Sequence, residues 1–156
     1  RLEYDNVGTV VQAYLYRVEK DIEDLNTYDA NLRLVKGAYN EPPDVAFPHK
    51  KDVDRNYEKM IKLHLLNGNY AGIATHDENI IRKVIDFTKK NAISKKQFEF
   101  QMLYGIRPEL QWDLARDGYK VRVYVPYGSD WFGYFMRRLA ERPDNVVFVL
   151  KNLYKK

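Results

Sequence analysis

The residues best suited to chemistry lie on a predicted helix near the end of the printed sequence. Four polar side chains share one face of that helix, because they stand at positions i, i+3, i+4 and i+7: Tyr134, Arg137, Arg138 and Glu141. Two adjacent guanidinium groups repel each other unless an anion lies between them, and arginine can bind a carboxylate or phosphate through two parallel hydrogen bonds. This face therefore indicates either an anion site or a solvated basic surface that complements the dipole of the helix C-terminus.

The segment before this helix places it at the edge of a sheet. Residues 121–128 alternate β-branched and other residues and end in a Pro and a Gly, which predicts a strand followed by a turn. Ser129 or Asp130 can then cap the helix. In a parallel sheet or barrel, the loops and helices at the carboxyl ends of the strands form the site. This position, together with the amphipathic Tyr134 one turn before the arginines, favours an anion pocket over a solvated face.

Composition limits the classes of protein that fit. The 156 residues are 45% hydrophobic, which is enough for the core of one domain or of part of a larger one. No apolar run approaches 18 residues, so the sequence predicts no membrane-spanning helix. Cysteine is absent, which excludes disulfides and thiolate chemistry. The net charge is +4, with 22 acidic residues interspersed among 26 basic ones, so we expect no nucleic-acid partner.

The order of the predicted elements favours a parallel α/β fold. Strands are predicted over residues 7–14, 32–35, 70–75, 98–103 and from 121, with helices over 15–25, 52–66, 78–91 and 108–117 between them. No hairpin dipeptide separates adjacent apolar runs, and this alternation indicates parallel strands joined by helical crossovers. Because five strands do not close an eight-stranded barrel, the prediction is about five βα units, either in an open sheet or in a partial (βα)8 TIM-like barrel.

Polar residues follow the predicted strands, where their carboxyl ends would meet at one edge of the sheet: Gln12, Arg33 with Lys36, Thr75 with His76, Gln101, and Tyr124. Gly37 permits close backbone approach or a positive φ, so Arg33, Lys36 and Gly37 would suit a phosphate or other anion. His76 fits hydrogen bonding better than a metal site, because no second His or carboxylate stands at ligand spacing. We expect His64, near the apolar stripe of its predicted helix, to be structural.

Five motifs, taken together and in order, resemble the proline dehydrogenase family, most closely its bacterial single-function form. They are V-V-Q-A-Y at 10–14, R-L-V-K-G-A-Y at 33–39, A-T-H-D at 74–77, E-F-Q-M-L-Y-G at 99–105, and R-V-Y-V-P-Y-G at 122–128 with Y-F-M-R-R-L-A-E at 134–141. The resemblance implies a distorted (βα)8 barrel that holds FAD at the carboxyl ends of its strands. It also implies oxidation of L-proline to pyrroline-5-carboxylate, with the electrons passed to quinone at the membrane.

The resemblance implies a role for each matching residue. The expected partners of the proline carboxylate are Arg137 and Arg138, and the residues expected to shape the proline pocket are Tyr124, Tyr134 and Leu103. The residues expected to contact FAD are Gln12, Arg33, Val35, Lys36, Gly37, Thr75 and His76, with Glu141 in the same network. Two of the matches fall on residues that would be catalytic: Tyr39, which corresponds to an active-site tyrosine of the family, and Arg33, which would lie near the flavin.

The resemblance also implies a longer protein. The family's barrel begins with about three further βα units, which carry a lysine and an aspartate of the proline site. Residues 1–156 would then form a single domain, the carboxyl-terminal part of such a barrel. We expect this part to be inactive by itself unless a second chain or a missing segment completes the barrel. The expected location is the cytoplasm, with peripheral association at the inner face of the cell membrane where quinone is reached.

Two other functions remain open from the residues alone. One is a non-enzymatic α/β module that binds a nucleotide or phosphate through Lys36, Gly37 and the arginine-bearing helix. The other is a basic RNA-binding domain, indicated only by a pI of about 9.1 and 13 tyrosines. A flavin absorbance in the purified protein would distinguish the proline dehydrogenase hypothesis from both, and salt-dependent binding would support the RNA hypothesis.

Overall fold

The computed structural model describes residues 4, 7–37, 39, 41–129 and 133 of the chain. Its strands are β1 (Gly8–Gln12), β2 (Asn31–Val35), β3 (Ala71–Ala74), β4 (Phe98–Leu103) and β5 (Val121–Tyr124). Its α-helices are α1 (Val18–Asn26), α2 (Lys50–Asn67), α3 (Glu78–Lys90) and α4 (Pro108–Arg116), with a short 3-10 helix at Lys95–Gln97. Apart from residues 129 and 133, the helix predicted over 129–141 falls outside these residues.

The strands form one five-stranded sheet in the order β1-β2-β3-β4-β5, and each neighbouring pair is parallel. The carboxyl ends of all five strands therefore meet at one edge, as the alternation of elements predicted. The start of α1 differs from the prediction: it begins at Val18 rather than at residue 15. The reason is that Leu15 forms an isolated antiparallel bridge with Ala46, which holds residues 15–17 in an extended path and a turn.

Alternation along the strands gives the sheet two different faces. In β4 the side chains of Phe98, Phe100 and Met102 are at most 1% exposed and belong to the hydrophobic core. Phe100 is packed edge-on against Phe98 and Tyr119, with ring centroids 5.6 and 5.8 Å apart. Glu99 and Gln101 alternate with these residues along β4 and lie on the opposite face.

The opposite face of the sheet, called the inner face below, is open in the part of the chain that the structure describes. Register places one inward-facing set across the five strands: Val10, Arg33, Gly72, Glu99, Gln101 and Arg122. Val10 is 51% exposed, and Arg33 and Arg122 are exposed as well. In a closed barrel these positions would point into the interior.

Helix α2 is fixed to the sheet by a buried hydroxyl. Tyr57 is completely buried, and its Oη lies 2.9 Å from the carbonyl oxygen of Leu34 and 3.0 Å from that of Ala74. Burial raises the pKa of Tyr57 well above its ordinary value, so the phenol stays a neutral donor. The hydroxyl therefore joins the carboxyl ends of β2 and β3 from the helix side.

His64 of α2 is structural, as predicted. Its ring is completely buried, with Nδ1 at 2.7 Å from Oδ1 of Asn26 and Nε2 at 3.2 Å from the carbonyl oxygen of Tyr70. Burial lowers its pKa, against an opposing effect of the Tyr70 carbonyl. The folded chain therefore favours the neutral imidazole, whose single N–H can donate to only one of these two oxygens, and the ring lies between the end of α1 and the start of β3.

The folded chain is expected to lose stability as the pH falls below about 6.5, the ordinary histidine pKa. Because the folded-state pKa of His64 is lowered, the unfolded state binds more protons in this range. The contribution of His64 is complete above that pH and is lost below it. The free energy of unfolding, measured with urea at several pH values between about 7 and 5, should change less steeply with pH for His64→Gln than for wild type. The control is His49→Gln, at an exposed residue; equal slopes for His64→Gln and wild type would contradict the expectation.

Candidate active site

The carboxyl edge of the sheet, called the rim below, gathers most of the residues to which the sequence assigned a role. The members that the structure describes are Gln12, Val35, Lys36, Gly37, Thr75, His76, Leu103 and Tyr124. Register pairs Gln12 with Val35 and Leu103 with Tyr124 across neighbouring strands. Tyr39 is in the loop after β2 and is 57% exposed. Four further predicted site residues lie outside the described residues: Tyr134, Arg137, Arg138 and Glu141.

A cavity of about 490 Å³ lies along the inner face, and its lining includes Arg33, Glu99, Arg122 and Tyr124. This volume is in the range of small-molecule sites. Arg33 is exposed to the cavity, and among the described residues no carboxylate forms an ion pair with its guanidinium. An uncompensated cation facing a cavity suits a ligand that carries or gains negative charge.

Next to Arg33 the inner face carries a polar cluster that sequence reasoning did not single out. This Glu99 cluster consists of Tyr70, Glu99, Gln101 and Arg122. The Glu99 carboxylate is 5% exposed and accepts hydrogen bonds from Tyr70 Oη at 3.0 Å, from Gln101 Nε2 at 2.7 Å, and from Nε and Nη2 of Arg122. The sequence did contain a signal for this cluster. A glutamate between two buried phenylalanines needs hydrogen-bond partners, and Arg122 lies on the next predicted strand.

The Glu99 cluster balances its own charge. Burial would raise the pKa of Glu99, but hydrogen bonds from Arg122, Gln101 and Tyr70 outweigh burial and hold the pKa below its usual range. Burial and the hydrogen bond to Glu99 raise the pKa of Tyr70 to about 12, so its hydroxyl remains a donor. One anion is thus paired with one cation, and in the part of the chain that the structure describes no carboxylate is left to pair with Arg33.

Gly72 makes room for this arrangement at the centre of the inner face. It is in register with Arg33 on one side and with Glu99 on the other. A Cβ atom at Gly72 would lie 2.5 Å from Nε2 of Gln101, so the absent side chain leaves the space that the Gln101 amide fills. The close approach of this amide to Glu99 therefore depends on the glycine.

Lys36 is engaged by carboxylates. Its side chain is 15% exposed, and its Nζ lies 2.6 Å from Oδ1 of Asp54 and 3.2 Å from Oδ2 of Asp77. Burial would raise the pKa of both acids, but Lys36 helps to hold them below their usual range. The ammonium therefore ties the end of β2 to α2 and to Asp77, the N-cap residue of α3. Because these carboxylates compensate its charge, Lys36 does not support the alternative that this strand end binds a phosphate group.

Gly37 has the positive φ that the sequence allowed for, at +96°. A Cβ atom here would lie 2.2 Å from Cδ1 of Tyr14, whose ring covers the glycine. Tyr14 is itself 6% exposed and packs with Ala46 and Val53 in a small second core. Both backbone conformation and space require glycine at this point of the rim.

His76 is held in one tautomer by the end of β4. The backbone N–H of Leu103 donates to its Nε2 at 2.8 Å, so Nε2 is unprotonated and the neutral ring carries its proton on Nδ1. Burial and the nearby Arg107 lower the pKa of His76. The preceding Thr75 is fixed as well, since its Oγ1 accepts from the N–H of Asp77 at 3.1 Å. The loop after β3 thus offers an imidazole donor of defined orientation.

Taken together, the rim and the inner face suit an extended ligand with an electron-accepting ring. Arg33 would supply positive charge for a ring that becomes anionic on reduction, and His76 would supply a directed N–H donor. This donor set fits an organic redox cofactor such as a flavin.

Comparison with known proteins agrees with this chemistry. The profile of the family described as proline dehydrogenase matches residues 1–151. Proline dehydrogenase 2 of Bacillus subtilis (strain 168) is 58% identical over 160 residues, which cover 100% of this chain and 52% of that protein. Proline dehydrogenase of Deinococcus radiodurans is 54% identical over 151 residues, covering 97% of this chain and 49% of that protein. The chain thus spans about half the length of the curated relatives it matches.

Solved structures show the same architecture. Proline utilization A (PutA) from Bdellovibrio bacteriovorus, inactivated by N-propargylglycine, has a TM-score of 0.78 and 30% identity, covering 85% of this chain and 16% of that one. A bifunctional PutA protein has a TM-score of 0.78 and 29% identity, covering 96% of this chain and 17% of that one. The sheet therefore has the α/β, TIM-barrel-like fold of these neighbours. By the profile match and the identity to both curated relatives, the chain belongs to the proline dehydrogenase family.

Proposed function

We propose that the protein to which this chain belongs oxidises L-proline to pyrroline-5-carboxylate with FAD as its cofactor. The observation that carries the proposal is Arg33, which faces the inner-face cavity just below the rim and has no carboxylate partner among the described residues, in a chain of the proline dehydrogenase family. The chemistry that FAD supplies when bound is the acceptance of a hydride from the carbon next to an amine nitrogen.

In this proposal the rim holds the cofactor. Arg33 stabilises negative charge on the reduced ring, which raises its reduction potential. The Nδ1–H of His76 donates a hydrogen bond to a cofactor oxygen or nitrogen. Backbone groups at Val35 and Gly37 also contact the cofactor. The remaining rim contacts come from Gln12, Lys36 and Thr75, with Tyr39 beside the reacting centre and Glu141 in the same network.

The substrate is held by its carboxylate. Arg137 and Arg138 stand next to each other in the sequence and can bind a carboxylate through several charge-assisted hydrogen bonds, each worth about 1.5–3 kcal/mol. Side chains that enclose the ring and exclude water are Leu103, Tyr124 and Tyr134. Fixing the carboxylate fixes the orientation of the proline ring, which is the protein's main contribution when a cofactor performs the redox step.

The proposed electron acceptor is quinone, with the protein in the cytoplasm and in peripheral contact with the inner face of the cell membrane. The resemblance of the motifs supports this part. Of the helices that the structure describes, none combines the length and the apolar character needed to cross a membrane.

A visible absorption spectrum of the purified chain tests the proposal, after incubation with FAD and removal of free cofactor. A retained flavin band that L-proline bleaches is the expected result for a site that is complete. Retention without bleaching would contradict proline oxidation by this chain and would still support the cofactor rim. Absence of the band would contradict FAD binding by this chain. Arg33→Met is the matched variant, and it should bind less flavin or lower the flavin potential.

Arg137→Ala or Arg138→Ala in the active protein is expected to raise KM for proline about 10- to 100-fold, because each change removes charge-assisted hydrogen bonds of about 1.5–3 kcal/mol. FAD should remain bound. Steady-state kinetics over a range of proline concentrations measure the effect. Arg116→Ala, at an exposed arginine of α4, is the control and should leave KM unchanged. A normal KM in Arg137→Ala and Arg138→Ala would remove the carboxylate role.

A further inference from the structure

A cation at the loop after β4 links two parts of the rim. Arg107 donates from Nη1 to the carbonyl oxygen of His76 at 3.0 Å and from Nη2 to Oε2 of Glu78 at 2.5 Å. Its backbone is left-handed, with φ of 52°, directly before α4. A non-glycine residue in this conformation carries local strain, which persists only where surrounding contacts hold it. Here the two side-chain contacts provide that hold.

The same two loops are joined a second time, by the ring of His76. The N–H of Leu103 donates to its Nε2, so a β4 backbone group and a β3-loop side chain are bonded directly. Gln111 closes the β4 loop from the other side, since its Nε2 lies 2.8 Å from the carbonyl oxygen of Ile106 and 3.3 Å from that of Leu103. Residues 103–107 and 76–78 therefore form one closed set of hydrogen bonds.

We propose that Arg107 is a positioning residue for the rim: by holding the backbone of His76, it keeps the imidazole bonded to Leu103 and its Nδ1–H donor aimed in one direction. Arg107 contacts neither of the proposed ligands itself. The effect links a residue assigned to the cofactor, His76, with one assigned to the proline pocket, Leu103, so it deepens the proposed function and rests on it.

The geometry excludes a purely local role for Arg107. A cap or surface ion pair would engage Glu78 alone, and Arg82 already does so one helical turn along α3. What distinguishes Arg107 is its second contact, to the carbonyl oxygen of His76. Its planar fork reaches both acceptors at once, which a lysine ammonium cannot reproduce. Arg82→Met is therefore a matched control, because it removes a partner of Glu78 without touching His76.

The first test is the tautomer of His76, measured by two-bond ¹H–¹⁵N correlation in the chain labelled with ¹⁵N-histidine, with His76→Gln to assign the signals. Wild type and Arg82→Met should show protonated Nδ1 and unprotonated Nε2. Arg107→Met should show averaged nitrogen shifts, because the ring is no longer held against Leu103, and Arg107→Lys should fall between. An unchanged tautomer in Arg107→Met, or protonated Nε2 in wild type, would overturn the proposal.

The second test is binding and kinetics in the active protein. In Arg107→Met the FAD Kd and KM for proline should both rise, by at most about tenfold, because the lost charge-assisted hydrogen bond is within the protein and only part of its energy is transmitted to the ligands, whereas Arg82→Met should leave both unchanged. Equal effects of the two variants would reduce Arg107 to a partner of Glu78 and overturn the positioning role. The tautomer measurement needs no flavin. A wild-type chain that binds no FAD would thus contradict the proposed function, and the NMR result would still decide the role of Arg107.

Discussion

The Gly37→Ala variant is expected to be less stable than wild type by about 2–6 kcal/mol. Its Cβ atom would lie 2.2 Å from Cδ1 of Tyr14, at a φ of +96° that side chains rarely adopt. Backbone strain costs about 1–3 kcal/mol, and forcing a buried ring aside costs a further 1–3 kcal/mol, roughly. Because Tyr14 packs with Ala46 and Val53, its displacement would disturb the second core as well as the rim.

Comparing the urea unfolding of Gly37→Ala with that of Gly105→Ala separates the cost of backbone strain from the cost of displacing the Tyr14 ring. Gly105 also has a positive φ, of +76°, but a Cβ atom there would meet nothing within 4 Å. Gly105→Ala should therefore lose only the strain, about 1–3 kcal/mol, whereas Gly37→Ala should lose clearly more and retain less FAD. Equal losses in the two variants would show that contact with Tyr14 contributes nothing to the requirement for glycine.

Glu99→Ala is expected to destabilise the chain by about 3 kcal/mol, the lower end of the range for breaking a buried charge pair. The change leaves Tyr70, Gln101 and Arg122 without the acceptor they share. The lower end applies because the side chain of Arg122 is 66% exposed, and water partly compensates its charge. The variant also removes the carboxylate that pairs with Arg122, so two arginines on the inner face, Arg33 and Arg122, would have no carboxylate partner among the described residues.

Chemical denaturation at neutral pH measures this loss, with Glu58→Ala as the control. Glu58 pairs with Lys83, which is 59% exposed, so its removal should cost less than about 1 kcal/mol.

The folded-state pKa of Glu99 is lowered, so its contribution to stability is present above the ordinary glutamate pKa and is lost as the pH falls below it. The difference in free energy of unfolding between Glu99→Ala and wild type should therefore become smaller in acid. If Glu99→Ala loses as little free energy of unfolding at neutral pH as Glu58→Ala does, the Glu99 cluster does not stabilise the fold as expected.

The local sequence pattern was sufficient to predict those helices and strands whose apolar residues recur with a clear period. Strand β4 has the bounds predicted, because an alternation of aromatic and polar residues specifies both its length and its faces. His64 was placed correctly because an apolar stripe of a helix marks the core. The conformation of Gly37 followed from residue type alone.

Contacts between distant residues were not accessible in the same way. Lys36 was expected to offer its charge to a ligand, and its partner Asp77 is 41 residues away in the sequence. Glu99 and Arg122 are 23 residues apart and on different strands. No local period encodes such pairs, because they depend on which strands become neighbours. The roles of the arginine pair rest on the motifs and stay predictions.

The strand order carries a consequence for how the protein is made. Among the described residues, each strand from β2 to β5 pairs with the strand that precedes it in the chain, and no strand is inserted between two earlier ones. During synthesis, each strand that leaves the ribosome therefore finds its neighbour already present and needs no strand still to come. The sheet can grow by addition at one edge, with each new helix covering the hydrophobic surface that the latest strand exposes. An arrest in synthesis after any helix would leave a shorter sheet with the same pairing.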